Sequence, residues 1–272
     1  MEKLQVAIEK ARAQREEARQ NVAQNPAEEQ LIETPGDVWA ELPSFDLKPR
    51  VVRKNLLVSY NAGEDAGPFD MLRTRIIQHA TKNSWRRVAL VSPQKGSGKS
   101  TTTANLAFSF GRQRDKKTLV LDLDLRRCGL SRILGQKCKH NMATVLQREI
   151  EFSEHGLRFG DNVAFGLNNG PIGNSSEILQ SNRARESLDE IDNCFNPDIV
   201  LFDLPPLLGA DDTFGFLKNV DCALLIAEAD KTTIAQIDVA ERQLAELTNV
   251  MGVVLNKSRY LGNDDGYEYS NG

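Results

Sequence analysis

Five short apolar runs recur between residues 88 and 255, and each gives way to polar or charged residues at its end. They are Val88 to Val91, Lys117 to Asp122 (KTLVLD), Asp198 to Asp203 (DIVLFD), Asp221 to Ala227 (DCALLIA) and Val250 to Leu255 (VMGVVL). Continuous apolar runs of this length predict strands covered on both faces, as in a parallel sheet. Between them the apolar spacing becomes helical. Phe69, Leu72, Ile76 and Ile77 form one such face, and Ile234, Ile237, Val239, Leu244 and Leu247 another. A third helix is expected to open at Lys99-Ser100-Thr101, and a fourth to run from a Ser176 cap to about Ile191. Strand alternating with helix predicts an α/β fold, a doubly wound, mostly parallel sheet flanked by helices. Asn55 to Tyr60 suggests a further strand, whereas residues 136–175 carry no regular pattern and Asn168 to Ser176 reads as loop.

The flanks read differently. Residues 1–24 contain no Gly or Pro, and Leu4, Ile8, Ala11, Ala18 and Val22 make a narrow stripe broken by Arg15. This predicts an N-terminal amphipathic helix that either docks on the body, a second copy or a partner, or stands solvated. Residues 25–54 shift to proline and acid, the composition of a linker, with Trp39, Leu42, Phe45 and Leu47 available to tether it. Residues 55–260 form the predicted main domain, and residues 261–272 a polar, flexible tail.

With 272 residues and 40% hydrophobic content the chain can hold one large α/β domain and an appendage. A net charge of −4 gives no electrostatic footprint for nucleic acid. No apolar run approaches about 18 residues and the N-terminus is charged, so neither a membrane span nor a secretory leader is expected, and the location is read as cytoplasmic. Cys128, Cys138, Cys194 and Cys222 are dispersed, without a C-x-x-C pair, and read as reduced packing residues. His79, His140 and His155 are likewise isolated.

The chemistry gathers at the ends of the strands. After Val91 comes a glycine-bearing loop, then a helix start, in SPQKGSGKST (92–101). Gly96 and Gly98 let backbone N–H groups of the Gly96-Ser97-Gly98 turn face a phosphate, and the helix N-terminus beginning at Lys99, Ser100 and Thr101 adds its positive end. This is a P-loop in outline, although Pro93 stands where the first glycine of Gly-x-x-x-x-Gly-Lys-Ser belongs. Lys99 would reach the β and γ phosphates, its side chain solvated without ligand, and the Ser100 hydroxyl would ligate Mg²⁺. Asp203 ends an apolar strand and would hold the cation's water shell. Asp122 and Asp124 offer a second acidic pair, able to orient a nucleophile or bind the cation. Singly, an aspartate after a strand serves equally well as a turn former. Three in register with one phosphate loop point to a P-loop NTPase that binds a nucleoside triphosphate with Mg²⁺.

SPQKGSGKST, TLVLDLDLRRCGLSRILG (118–135) and DIVLFDLPPLLGADD (198–212) together resemble the bacterial tyrosine kinases of polysaccharide synthesis, the CpsD/CapB type, related to the MinD/ParA ATPases. The likeness covers about residues 65–258. It implies ATP and Mg²⁺ as cofactors and phosphate binding by Lys99. It also implies Mg²⁺ at Ser100, Asp124 and Asp203, and metal or nucleophile activation by Asp122 and Asp124. Asn256, in Leu-Asn-Lys, is similar to the element that recognises adenine. The sequence departs from the pattern as well. The oligomerising helix, Glu-x-Phe-Arg-x-Leu-Arg in the family, keeps Phe69, Leu72 and Arg73 but carries Gly67 and Asp70. Gln94 falls where MinD and ParA place a lysine. The tail offers Tyr260, Tyr267 and Tyr269 rather than a tyrosine cluster; Tyr267 and Tyr269 are the candidate phosphoacceptors, unless the acidic tail merely solubilises. The resemblance implies an ATP-dependent tyrosine autokinase regulating exopolysaccharide biosynthesis or export. A membrane-embedded co-polymerase or activator would be its partner, a homo-oligomer its assembly, and the inner face of the membrane its working place. The alternative is an ATP-dependent switch of the same family without tyrosine transfer. A partitioning ATPase is disfavoured by Gln94.

Overall fold

The computed structural model describes residues 37–209 and 211–258. The N-terminal helix expected over residues 1–24, and the tail with Tyr260, Tyr267 and Tyr269, lie outside the described residues. Seven strands form one sheet: β1 (Arg87–Val91), β2 (Thr118–Asp122), β3 (Leu157–Phe159), β4 (Val163–Gly166), β5 (Ile199–Asp203), β6 (Cys222–Glu228) and β7 (Asn249–Asn256). Their order is β3-β4-β2-β5-β1-β6-β7. All neighbours are parallel except the β3–β4 pair. The five apolar runs are five of these strands, and the period-2 pleat sends alternate residues to two separate cores. Ala89, Val91, Leu119, Leu121, Val200 and Phe202 face one, while Val88, Leu90, Val120, Ile199 and Leu201 face the other.

Helices cover both faces. α1 (Gly67–Asn83) and α2 (Lys99–Gly111) close one side with Ile76, Ala80, Leu106, Phe108 and Phe110. A short helix, α3 (Gly129–Leu134), adds Leu130 and Leu134 on that side. α4 (Asn182–Phe195) and α5 (Ile234–Ala245) close the other with Leu188, Ile191, Phe195, Ala240 and Leu244. Thr233 and Gln236 form a capping box at the start of α5. No helix among the described residues is long and apolar enough to cross a membrane.

Four stretches differ from the sequence reading. Asn55 to Tyr60 is not a strand: it turns through Leu56 (φ +53°) into a 3₁₀ turn at Val58–Tyr60. One side chain bonds two of its backbone groups, since Asn105 donates to the Leu56 carbonyl (3.0 Å) and accepts from Ser59 N–H (2.9 Å). The helix expected from Ser176 to Ile191 is two helices, Ser175–Gln180 and α4, divided at Ser181. Ser181 is extended, and its hydroxyl accepts from Ala184 N–H (3.1 Å) to cap α4. The unpatterned region holds the β3–β4 hairpin, where Phe159 and Phe165 join Phe45, Tyr60 and Phe108 in an aromatic cluster with centroids 4.9–6.3 Å apart. The span read as linker enters the folded body at Asp37. Trp39 is buried edge-on against Phe195 (5.8 Å) and donates from Nε1 to the Phe195 carbonyl (2.8 Å). Leu42 and Leu47 are buried too, so the tether proposed for these residues outweighs the extended bias of the prolines.

Candidate functional site

β1, β2 and β5 lie side by side at the centre of the sheet, so their carboxyl ends open on one edge, where ligands of doubly wound sheets bind. β1 delivers the glycine loop. Gly96 (φ +88°) and Gly98 (φ +89°) both adopt the left-handed conformation that a side chain disfavours. Gly98 caps α2, and its carbonyl accepts from Thr102 N–H (2.8 Å) in the first helical turn. Ser92 and Ser97 brace the loop from within, both hydroxyls donating to the Gln94 carbonyl (2.7 and 3.2 Å).

The β2–β5 register sets Asp122 beside Asp203. Lys99, at the first position of α2, faces both together with Asp124. Contrary to the expectation of a solvated lysine, its residue surface is only 6% exposed. Burial lowers its pKa against the opposing pull of Asp203 and Asp124. All three carboxyls are shifted upward. Burial pushes Asp203 up to about 6, although Lys99 and the neighbouring Ser100 and Thr103 hydroxyls favour its charged form. Asp122 is raised well above the carboxylate range by burial and by its two acidic neighbours, which the Leu130 N–H (3.2 Å) only partly offsets. Asp124 is raised by burial and restrained by Lys99 and Arg127. Asp122 Oδ1 and both Asp203 oxygens are buried without a well-formed hydrogen bond among the described residues.

A cavity of about 350 Å³ opens in front of this group, lined by Gly96, Gly98, Lys99, Ser100, Thr101, Asp124 and Lys257 among others. The structure therefore brings together the loop, the three aspartates and Asn256, whose amide donates to the Ser97 carbonyl (2.8 Å). Tyr267 and Tyr269 lie outside the described residues.

Several members of the site lie within the motif at 118–135 but were given no role from the sequence. Gly129 opens α3 against Ser100: a Cβ there would lie 2.5 Å from Ser100 Oγ and 3.7 Å from Asp203 Oδ2. Arg127 lines the cavity beside Asp124. Arg126 pairs with the fully buried Asp212 (3.0 Å) and donates to Ser175 Oγ (2.9 Å), tying the ends of β2 and β5 to the helix at Ser175. The signal for Arg126 was its place in Asp-x-Asp-x-Arg, and for Arg127 and Gly129 their nearness to that element.

A family model described as the CobQ/CobB/MinD/ParA nucleotide binding domain matches residues 88–266. The tyrosine-protein kinase YwqD of Bacillus subtilis is 30% identical over 191 residues, covering 69% of this chain and 79% of YwqD. The tyrosine-protein kinase etk of Escherichia coli is 26% identical over 252 residues, 85% of this chain but 34% of etk, so the chain spans about a third of that relative. Among solved structures, the kinase domain of Escherichia coli ETK superposes with a TM-score of 0.68 at 23% identity, covering 82% of this chain and 86% of that domain. That likeness is one of fold. The chain belongs to the CobQ/CobB/MinD/ParA nucleotide-binding domain family and, within it, to the bacterial tyrosine-protein kinases.

Proposed function

We propose that this protein is an ATP- and Mg²⁺-dependent tyrosine autokinase that regulates exopolysaccharide biosynthesis or export. The observation that carries the reading is the set of buried carboxylate oxygens, Asp122 Oδ1 and both of Asp203, that lack a well-formed hydrogen bond among the described residues and face Lys99 beneath the glycine loop. Buried polar atoms are otherwise almost always bonded, and hard oxygen donors of this kind suit a magnesium ion. No group of three or more His, Cys, Asp or Glu among the described residues is arranged as a self-sufficient metal cage. A cation here would thus complete its shell with phosphate oxygens and water, which is how Mg²⁺ is held beside nucleotides.

The residues divide the work by position. The loop Gly96-Ser97-Gly98 and the amides of Lys99, Ser100 and Thr101 present N–H groups to the phosphates, and the Lys99 ammonium adds a fixed charge. Ser100, Asp203 and Asp124 are the residues that would hold Mg²⁺. The Mg²⁺-nucleotide, when bound, supplies the γ-phosphoryl group and the charge that steadies its transfer. Asp124, which lines the cavity, would accept the proton of an incoming tyrosine hydroxyl. Asp122, fully buried beside Asp203, would act on the same proton acceptor through the charge it places behind the site. Asn256 would meet the adenine. Tyr267 or Tyr269 of a neighbouring copy would be the acceptor, with a membrane-embedded co-polymerase or activator drawing the protein to the inner face of the membrane.

One observation favours the alternative of a nucleotide-driven switch without tyrosine transfer. Arg73, the retained arginine of the oligomerising helix, is spent within the chain, donating to the Ser109 carbonyl (2.8 Å), and Asp70 accepts from Arg112 and Ser109. Incubation with γ-labelled ATP separates the two. Wild type should take up label and Tyr267→Phe/Tyr269→Phe should lose it. Label that persists in the double variant removes tail autophosphorylation, and absence of label in a protein that binds ATP selects the switch.

A further inference from the structure

A phosphate cradle needs its N–H groups turned toward the ligand and its carbonyls turned away. Those carbonyls must themselves be satisfied, or the loop loses its preferred orientation. Here the two carbonyls at the heart of the loop are both bonded from the end of β7. The Asn256 amide donates to Ser97 O (2.8 Å), and the Lys257 ammonium donates to Gly96 O (2.7 Å). Asn256 Oδ1 in turn accepts from the Lys257 N–H (2.9 Å), so the two residues form one unit. Lys257 holds φ +60°, a conformation a lysine adopts only when its surroundings impose it. The ammonium is also anchored on the neighbouring strand: Glu228, at the end of β6 and paired in register with Asn256, accepts from Lys257 (3.0 Å) and from Lys231 (2.8 Å). These hydrogen bonds hold the Glu228 carboxyl below its ordinary pKa. Gly98 completes the fit, because a Cβ there would run into the Asn256 amide.

We propose that Lys257, held by Glu228, is a positioning residue: it fixes the Gly96 carbonyl outward, with Asn256 doing the same for Ser97, and so preforms the phosphate loop. The proposal rests on the reading of this loop as a nucleotide site and adds to it the part that shapes the loop before the ligand arrives. It also gives Asn256 a bond to the loop besides any contact with a base.

The test uses the full-length protein and two independent readouts. Amide hydrogen exchange over residues 92–104, measured without nucleotide, should quicken about five- to tenfold in Lys257→Met, the effect of losing one hydrogen bond of ordinary strength from a half-exposed side chain. Lys257→Arg should restore protection, and Glu228→Gln should fall between. With Mg²⁺-ATP the Lys257→Met Kd should rise about tenfold while the labelling rate at saturating ATP stays close to wild type, since the lysine acts on the loop rather than on the reacting atoms. Unchanged loop exchange in Lys257→Met overturns the proposal; joined to weakened ATP binding, it makes Lys257 a direct phosphate ligand instead. Failure of the wild type to bind nucleotide would bring down the functional reading, yet the exchange comparison would still decide whether Lys257 orders the loop.

Discussion

Substituting Gly129 by alanine should separate stability from nucleotide binding. Gly129 is the first residue of α3 and its backbone lies outside the left-handed region, so alanine adds no strain there and gains up to about 1 kcal/mol in helix propensity. Its methyl group, however, would sit 2.5 Å from Ser100 Oγ, closer than real Cβ atoms approach, and a tight 3.1 Å from Ser100 Cβ. Asp203 Oδ2, at 3.7 Å, is in ordinary contact and need not move. Relief must come from Ser100, whose hydroxyl swings away, or from a recoil of α3 that also loosens the Leu130 N–H bond to Asp122. The swing is the cheaper course, because the hydroxyl is the free end of its side chain, and it takes the hydroxyl from the place where it would meet the cation. A hydrogen bond to a charged partner contributes about 1.5–3 kcal/mol, which is roughly 10- to 150-fold in affinity. Titration calorimetry with Mg²⁺-ATP should therefore show a Kd raised by that factor, with a melting temperature within a few degrees of wild type. Because both changes act on one hydroxyl, Gly129→Ala in a Ser100→Ala background should cost almost nothing more. Wild-type affinity in Gly129→Ala, or full additivity with Ser100→Ala, would refute the assignment of Ser100 to the cation.

Two further outcomes follow from burial. Trp39→Ala should destabilise the protein by about 3–5 kcal/mol in chemical denaturation, because it removes a buried indole and its bond to Phe195; a change below about 1 kcal/mol would mean that residues 37–47 are a linker after all. The second concerns pH. With a folded pKa of about 6 against 3.8, Asp203 keeps its proton in the native protein after the unfolded chain has lost it. The native state then binds more protons between about pH 4 and 6, so stability without nucleotide falls as pH rises through that window. Asp122 and Asp124 are shifted the same way and steepen the fall. Melting temperature should decline from pH 4.5 to 7 and decline less in Asp203→Asn; parallel curves for the two proteins would contradict the shift.

The strands and the loop were readable in the sequence because their cause is local. A run such as VLFD must bury both faces wherever it goes, and Gly96 and Gly98 are needed for a turn made within three residues. The aspartates were readable as strand-end residues in register with the loop, but not as neighbours of one another across the sheet. That Asp122 meets Asp203 follows from β2 and β5 being neighbours, an order set by packing and absent from either run. The misreadings have the same origin. NLLVSY has the apolar content of a strand, but Asn105, far along the chain, satisfies its backbone first. The prolines around Trp39 signal a linker, yet the indole's partner is Phe195, 156 positions away. β3 and β4, three and four residues long, are too short to show a period. Gly129 and Lys257 extend the argument to function. One makes room for Ser100 and the other bonds a carbonyl 161 positions earlier, so neither has a neighbour in sequence that explains it. Residues that touch phosphate must match a local geometry and so leave a motif. Residues that hold that geometry in place need only reach it, and many side chains on many strands could do so. The second group is where relatives with one loop sequence can differ in how firmly the loop is set, and variants at Gly129 and Lys257 measure that difference directly.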